Sequence, residues 1–275
     1  MSLTKSRITE LEQVAKKLRF SIVNMIGPGV PGHLGGSCSI ADVLAILYFH
    51  KMKHDPKNPK WPLRDRFILS KGHAALAQYA ALAECGYFPK EEFKNIKKLG
   101  SILQGHPDML KLAGVEANTG SLGQGLSISC GIALAGKLDK LDYRVYCVLG
   151  DGEIAEGQIW EATMAASYYK LDNLTVFLDK NRIQATGPIA DRFNTNPHVE
   201  KWLANNWHVI EIDGHNLAEI DEAITKAQAI KGKPTIIVAH TVKGKGISFA
   251  ENEAKFHNGV MTEEEFEIAL GAVTI

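Results

Sequence analysis

The sequence has no excess of charge of either sign and no long apolar run. Lysine and arginine together number 31, and aspartate and glutamate also number 31, so the formal net charge is zero. Without a basic surface field, the chain has no electrostatic means of collecting DNA, RNA or anionic lipid. No apolar run reaches the roughly 18 residues of a membrane-spanning helix. We therefore expect no nucleic-acid partner and no membrane partner.

Cysteine is scarce, and the sequence contains no Cys-x-x-Cys pair. The four cysteines stand apart at positions 38, 85, 130 and 147, each in or beside an apolar stretch. We interpret them as reduced core residues, as expected for a protein in a reducing compartment. The polar, charged opening MSLTKSRITELEQVAKK lacks the apolar segment of a secretory signal. These features predict a cytoplasmic protein.

Two common nucleotide-binding loops are missing as well. The sequence GDG at 150–152 lacks the third glycine of the dinucleotide-binding fingerprint, and GSLGQG at 120–125 reverses the spacing of that fingerprint. The sequence KGKG at 243–246 lacks the hydroxyl residue that completes a P-loop. Dinucleotide sites and P-loop nucleotide sites are therefore disfavoured.

The sequence does contain an alternation of helical and strand patterns, with 45% hydrophobic residues as in ordinary globular domains. Apolar residues at helical spacing, and short β-branched or apolar runs, mark the elements. The predicted helices span residues 4–26, 39–51, 74–85, 90–98, 126–138, 153–169 and 217–230, and the predicted strands span 144–149, 174–179, 208–213 and 234–240. Residues 104–125 show no periodic element. This alternation predicts an α/β fold with a doubly wound, mainly parallel sheet flanked by helices, in one domain over residues 1–275.

The ends of two successive predicted strands carry the strongest chemical signal. Asp151 follows the strand at 144–149, and Asn181 follows the next strand, one βαβ unit later. A right-handed crossover brings both side chains to the same edge of the sheet, where their oxygens suit Mg²⁺ and where Gly150 and Gly152 let a diphosphate approach a helix N-terminus. An ordinary tight turn in which Asp151 caps the following helix explains the same residues without a ligand.

Five motifs together resemble one family. The pattern GDG-x28-N resembles the thiamine diphosphate and Mg²⁺ motif, and four further strings resemble the N-terminal, diphosphate-binding half of transketolase. These strings are PGHLGGSCSIADVLAILYF, DRFILSKGHAALAQYAAL, GHPD and TGSLGQGLSISCGIALA. The resemblance runs from about Ser21 to Gly259 in the family's order. It implies the thiamine diphosphate-binding fold, with thiamine diphosphate and Mg²⁺ as cofactors and Ca²⁺ or Mn²⁺ as alternative cations.

The resemblance also implies roles for individual residues. The implied catalytic residues are His33, His73, His106 and His257, which would bind substrate hydroxyls and transfer protons. The implied cofactor-binding residues are His73, Gly120, Ser121, Leu122, Gly150, Asp151, Gly152, Asn181 and His257. The implied metal ligands are Asp151, Asn181 and the backbone carbonyl of Ile183. Glu156 and Glu161 resemble carboxylates that couple paired active sites at a subunit interface, although a solvated helix face explains them nearly as well. The other six histidines have no motif support, and we interpret them as surface or core residues.

The resemblance further implies a partner chain. In the family, a glutamate that contacts the aminopyrimidine lies in a second, pyrimidine-binding domain, and no residue here matches it. The chain therefore resembles the N-terminal subunit of a split transketolase. A separate C-terminal transketolase subunit would carry the pyrimidine-binding and C-terminal domains, with two copies of each chain in the complex. The expected reaction moves a two-carbon glycolaldehyde unit from a ketose phosphate to an aldose phosphate.

Several alternatives stay open at this point. A related split ketol transferase would act on a sulfosugar or a branched-sugar phosphate, and a relative of 1-deoxyxylulose phosphate synthase would belong to the same superfamily. The α subunit of a 2-oxo acid dehydrogenase shares the metal motif, but the roles implied for the histidines argue against it. A non-catalytic cofactor-binding or regulatory subunit is a different class, and turnover by the reconstituted complex would distinguish it from the enzymes.

Overall fold

Parallel strands form the centre of the fold in the computed structural model, which describes residues 3–274. The strands are β1 (Arg66–Leu69), β2 (Val145–Gly150), β3 (Leu174–Lys180), β4 (Ile183–Gln184), β5 (Gly187–Pro188), β6 (His208–Asp213) and β7 (Thr235–His240). Five of them form a sheet in the order β1-β2-β3-β7-β6, and all neighbours in this sheet are parallel. Strands β4 and β5 form a short antiparallel hairpin. The predicted fold class is confirmed.

Helices cover both faces of the sheet. They are α1 (Lys5–Ile26), α2 (Leu34–Cys38), α3 (Ala41–Ile46), α4 (Ala75–Cys85), α5 (Gln124–Leu138), α6 (Gly157–Tyr168), α7 (Ile189–Arg192), α8 (His198–Ala204), α9 (Leu217–Ala229) and α10 (Glu263–Val273). Successive β2 residues alternate between two apolar cores: Tyr146 and Val148 pack with α1, α3, α4 and α9, whereas Cys147 and Leu149 pack with α5 and α6. A sheet buried on both faces explains why its strands read as continuous apolar runs.

Local capping sets the ends of several helices. Thr4 caps α1, because its side chain accepts a hydrogen bond from the Arg7 amide, and Gly27, whose φ is +49°, follows the last residue of α1. At α10, Thr262 and Glu265 form a reciprocal capping box. Such side chains satisfy amides that have no partner within the helix itself.

The structure differs from the predicted elements in several places. Strand β1 was not predicted, because its four residues are too few to give a recognisable hydrophobic pattern. The strand predicted to be the first is therefore the second in the sheet. The predicted helix at 39–51 is α3 followed by a π-helical turn over Leu47–Lys51. The predicted helix at 90–98 is a 3₁₀ helix over Lys90–Asn95, and Lys97 lies beyond it with φ at +59°. Helices α2, α7, α8 and α10 and the hairpin strands β4 and β5 were also not predicted.

The four cysteines are free thiols, and three of them lie in the core. Burial raises the pKa of the Cys38 and Cys130 thiols to about 12, which keeps these groups protonated and unreactive. Cys85 is partly buried and packs against the edge of the larger core. No helix in residues 3–274 is both long enough and apolar enough to span a membrane.

Candidate active site

The carboxyl ends of the neighbouring strands β2 and β3 bring Asp151 and Asn181 together. Gly150 pairs with Asp179 in the strand register, so the residues that follow each strand leave the sheet at the same level. The Asp151 carboxylate accepts hydrogen bonds from the Gly152 amide at 2.9 Å and from the backbone amide of Arg182. Arg182 stands between Asn181 and Ile183, and the structure therefore places the predicted metal ligands in one small region.

These groups form an oxygen-rich site with nearby cations. Lys243 Nζ donates to the Ile183 carbonyl at 3.0 Å, and the Ile183 amide donates to Asn181 Oδ1 at 3.1 Å. Carbonyl and amide oxygens have two lone pairs, so both retain capacity for a further ligand. Burial, together with the nearby Asp179 carboxylate, raises the pKa of Asp151 to about 7. A bound divalent cation would offset both effects and keep Asp151 ionised.

No group of three histidine, cysteine, aspartate or glutamate side chains within residues 3–274 is arranged to hold a metal ion. The set built from Asp151, Asn181 and Ile183 needs no such group, because it consists of one carboxylate, one amide and one backbone carbonyl. Mg²⁺ takes few protein ligands of this hard type and completes its shell with phosphate oxygens and water. The residues present thus fit a magnesium diphosphate.

A cavity of about 430 Å³ opens beside Asn181 and Ile183, whereas Asp151 is not among its lining residues. The wall includes Lys71, His73, Gly120, Leu122, Gly150, Gly152, Asn181, Ile183, Lys243 and His257. The volume is typical of small-molecule sites. We call it the cofactor cavity.

Two glycines of this wall lie close to neighbouring side chains. A Cβ atom at Gly120, whose φ is +143°, would lie 2.7 Å from His106 Cδ2. A Cβ atom at Gly152 would lie 3.2 Å from Gln184 Oε1, which is also tight. Glycine at these positions leaves space and exposed backbone for a ligand. Ser121, also predicted to bind the cofactor, is exposed and does not line the cavity, whereas its two neighbours do.

The four predicted catalytic histidines form one cluster. The ring centroid of His33 lies 5.2 Å from that of His73, 6.1 Å from that of His106 and 5.4 Å from that of His257. The rings of His73 and His257 are stacked with centroids 4.9 Å apart. His73 and His257 line the cofactor cavity, and His33 and His106 adjoin them, so four separate segments of the sequence meet here.

The surroundings keep these histidines neutral. Burial, with smaller contributions from nearby cations, lowers the pKa of His33 to about 4 and that of His257 to about 3. Burial and Lys71 lower the pKa of His73, and burial and Lys97 lower the pKa of His106. A neutral imidazole both donates and accepts a hydrogen bond, whereas the charged form only donates. The cluster can thus bind hydroxyl groups and relay protons at neutral pH.

A buried ion pair that was not predicted supports the same edge of the sheet. Lys71 Nζ lies 2.5 Å from Asp179 Oδ2 and also donates to the Gly36 carbonyl at 2.7 Å. Burial alone would raise the pKa of Asp179, but Lys71 and hydroxyl hydrogen bonds, one of them from Thr241, hold it below its usual range. The pairing joins residues 108 positions apart, and only the position of Lys71 beside Gly72-His73 could have indicated it.

Glu153 is a second residue of the site that was not predicted. Its buried carboxylate accepts hydrogen bonds from the Gly123 amide at 2.9 Å, the Gly150 amide at 2.9 Å and the Ser70 hydroxyl at 2.5 Å. One side chain therefore joins the loop at 120–123, the turn at 150–152 and the end of β1. Its place directly after the Gly-Asp-Gly turn was the available signal.

Glu156 and Glu161 have different positions. Glu156 precedes α6 and lines the cofactor cavity, although it is exposed, whereas Glu161 is exposed further along the same helix. Glu156 thus lies at the site, whereas Glu161 lies on a solvated face of α6.

Comparison with known proteins identifies the family. Residues 11–271 match the family model described as "Transketolase, thiamine diphosphate binding domain". The chain belongs to the transketolase family. The resemblance inferred from the five sequence motifs is thus confirmed.

Two curated transketolase subunits are similar over nearly their whole length. The 6-deoxy-6-sulfo-D-fructose transketolase subunit of Clostridium sp. (strain MSTE9) is 46% identical over 95% of this chain and 95% of its own. An apulose-4-phosphate transketolase subunit of Phocaeicola vulgatus is 40% identical over 98% of this chain and 95% of its own. Among solved structures, transketolase from Campylobacter jejuni matches with a TM-score of 0.90 and 35% identity, over 97% of this chain but 43% of that transketolase.

Proposed function

We propose that this chain is the N-terminal, cofactor-binding subunit of a two-chain, Mg²⁺-dependent transketolase that moves a two-carbon ketol unit from a ketose to an aldose. The observation that carries the proposal is the convergence of His33, His73, His106 and His257 beside the cofactor cavity. Binding of the cofactor alone does not require four clustered neutral imidazoles, whereas binding a sugar and transferring its protons does.

The cavity has the groups that thiamine diphosphate requires. Asn181 and Ile183 line the cavity and would hold Mg²⁺, or Ca²⁺ or Mn²⁺ in its place, together with Asp151, whose carboxylate accepts the amide of Arg182 between them. The Lys71 and Lys243 ammonium groups would offset the diphosphate charge. Burial and Lys71 lower the pKa of Lys243 to about 8, and an anionic ligand would reverse this effect. When bound, the cofactor supplies the carbon nucleophile and electron sink for making and breaking the carbon–carbon bond.

The histidines would bind the sugar and manage protons. Lys243 Nζ lies 3.1 Å from His257 Nδ1, and since an ammonium group only donates, Nδ1 must be the acceptor. Neutral His257 therefore carries its proton on Nε2 and can donate it to a substrate oxygen. His33, His73 and His106 make no side-chain hydrogen bond to any residue in the described range 3–274, so their nitrogens are available to sugar hydroxyls. Such acid–base groups contribute about 10²–10⁴-fold each to a reaction rate.

The relatives support a partner and a class of substrate. Both curated relatives are named as subunits, so we infer a separate C-terminal subunit here too, with two copies of each chain in the complex. Their names refer to a sulfonated ketose and a phosphorylated branched ketose. We therefore propose a donor with a terminal anionic group. The first candidate donor is a ketose phosphate. The second is a sulfonated ketose, which the 46% identity to the sulfofructose transketolase subunit favours.

Reconstitution tests the proposal. The chain is produced alone and together with a candidate C-terminal subunit, and glycolaldehyde transfer is measured with thiamine diphosphate and Mg²⁺. Fructose 6-phosphate and 6-deoxy-6-sulfofructose form a matched pair of donors that differ only in the terminal group. We expect transfer by the complex and none by the isolated chain. Multiple turnover by the isolated chain would exclude the two-chain arrangement, and a cofactor-loaded complex that transfers from neither donor would contradict the activity.

A further inference from the structure

A second cavity, of about 420 Å³, lies next to the cofactor cavity along residues 183–190. Ile183 to Thr186 line the cofactor cavity, whereas Pro188 to Ala190 line the second one. The two walls have no residue in common among residues 3–274. The second cavity is therefore a separate space, and we call it the basic cavity.

The basic cavity carries excess positive charge. Lys180 and Arg182, at the end of β3, both line it. No carboxylate in the described part of the chain forms a salt bridge with Lys180. The acidic residue in the wall is Asp151, whose two oxygens accept the backbone amides of Gly152 and Arg182. Arg182 Nη2 lies 3.4 Å from His240 Nδ1, and His240 Nε2 lies 3.0 Å from the Glu211 carboxylate. Arg182 is thus linked to a carboxylate through His240, whereas Lys180 forms no salt bridge within residues 3–274 and favours an anionic ligand.

His198, which had no motif support, supplies an unsatisfied acceptor in the same wall. It is 4% exposed, and its Nε2 lies 2.9 Å from Thr195 Oγ1. The Thr195 hydroxyl donates its hydrogen to the Asp151 carbonyl at 3.1 Å, so His198 Nε2–H is the donor to Thr195. Nδ1 is then an unprotonated acceptor, and no residue among 3–274 pairs with it. Burial, assisted by Lys180, lowers the pKa of His198 to about 4 and keeps the ring neutral.

We propose that the basic cavity binds inorganic phosphate. The ligand must present anionic oxygens to Lys180 and Arg182 and a hydrogen-bond donor to His198 Nδ1. Inorganic phosphate retains a P–OH group at neutral pH and meets both demands. Sulfate has no such hydrogen, and a phosphate monoester, whose second pKa is about 6, has largely lost it. The bond from Thr195 to the Asp151 carbonyl links this ligand to the metal-binding loop.

Calorimetric titration of the full chain with inorganic phosphate, sulfate and methyl phosphate at pH 7.5 tests the site. We expect phosphate to bind, and sulfate and methyl phosphate to bind about tenfold more weakly or worse, because each lacks one hydrogen bond at a charged ligand. Lys180→Met should weaken phosphate binding by a similar factor. Lys243→Met is the matched control, since it removes a lysine from the cofactor cavity and should leave phosphate binding intact. His198→Phe should remove the preference for phosphate over sulfate.

Three results would overturn the proposal. They are the absence of phosphate binding, loss of binding in Lys243→Met but not in Lys180→Met, and equal affinity for phosphate and sulfate in the wild-type chain. The second result would place the anion in the cofactor cavity, and the third would indicate an adventitious anion on surface lysines. The Lys180→Met comparison decides the question even where His198→Phe does not fold. These measurements require no ketol transfer, so they are independent of the proposed enzymatic function.

Discussion

Two sets of histidines in this protein differ in their hydrogen bonding. His54 is bonded on both nitrogens, to the Tyr87 hydroxyl at 3.2 Å and the Tyr48 carbonyl at 2.7 Å. His215 likewise connects Asp42 Oδ2 at 2.7 Å with the Val242 amide at 2.9 Å. The rings of His73 and His106 instead adjoin that of His33, and none of these three makes a side-chain hydrogen bond within residues 3–274.

This contrast separates histidines that hold the fold together from those kept free for a ligand. His106 is exposed and the other three rings are partly buried, so water can satisfy their free nitrogens and a ligand can replace that water. Sequence context alone does not make the distinction. His33, His73 and His106 each follow a glycine, but so does His215, which is fully engaged in the fold.

The largest expected effect is at the metal-binding loop. Asp151→Ala should abolish Mg²⁺-dependent binding of thiamine diphosphate and reduce transfer by the complex to background, because the diphosphate needs the cation as a bridge to the protein. Fluorescence titration with the cofactor, with and without Mg²⁺, measures this effect. Asp142→Ala, at a fully exposed carboxylate, is the control. Unchanged cofactor affinity in Asp151→Ala would remove the metal assignment.

The next effect tests the contrast between the histidines directly. His106→Ala should lower kcat by about 10²–10⁴-fold while cofactor affinity stays near the wild-type value, because the proposed bonds of His106 are to substrate. His54→Ala should lower thermal stability but leave kcat per folded molecule unchanged, since His54 is bonded only within the fold. Steady-state kinetics and thermal melts of both variants provide the comparison. Wild-type kcat and KM in His106→Ala would make this histidine structural.

Asp42, the partner of His215, should matter for stability. It also forms a buried ion pair with Arg19, and Asp42→Ala would leave that guanidinium buried without its counter-charge. We expect a loss of about 3–5 kcal/mol in the free energy of unfolding. Glu10→Ala, which breaks the exposed Arg7–Glu10 pair, should cost at most about 1 kcal/mol. Urea unfolding of the chain measures both, and equal losses would show that burial does not set the cost.

The smallest expected effect is a pH dependence of stability. The pKa of His33 is about 4 in the folded chain against an ordinary 6.5, so between these values the unfolded chain binds a proton that the folded chain does not. Stability should therefore fall as pH decreases from 6.5 to 4. His33→Asn should flatten this slope in denaturant unfolding measured across the same range. Parallel slopes for the two proteins would show that His33 is not protected from protonation.

The parts of the site that the sequence predicts are those encoded by local order. Asp151 and Asn181 follow successive strands, and the crossover rule alone brings them to one edge. Glu153 was not predicted, because its bonds to Ser70 and Gly123 depend on long-range packing. Lys243 stands in a segment that was considered only as a failed P-loop, and its contacts with Ile183 and His257 require the folded chain. The unpredicted β1 shows the same limit, since its four residues obtain their strand conformation from β2.

The position of β1 also has a kinetic consequence. Arg66 pairs with Val145, and the long connection between these strands carries His73, His106 and Gly120. The cofactor cavity therefore closes only when contacts distant in sequence have formed, which is a slow step in chain folding. The cofactor should therefore lower the unfolding rate and leave the folding rate unchanged, because its binding site is not yet formed in the folding transition state. The subunit must then acquire its central sheet before it can load a cofactor.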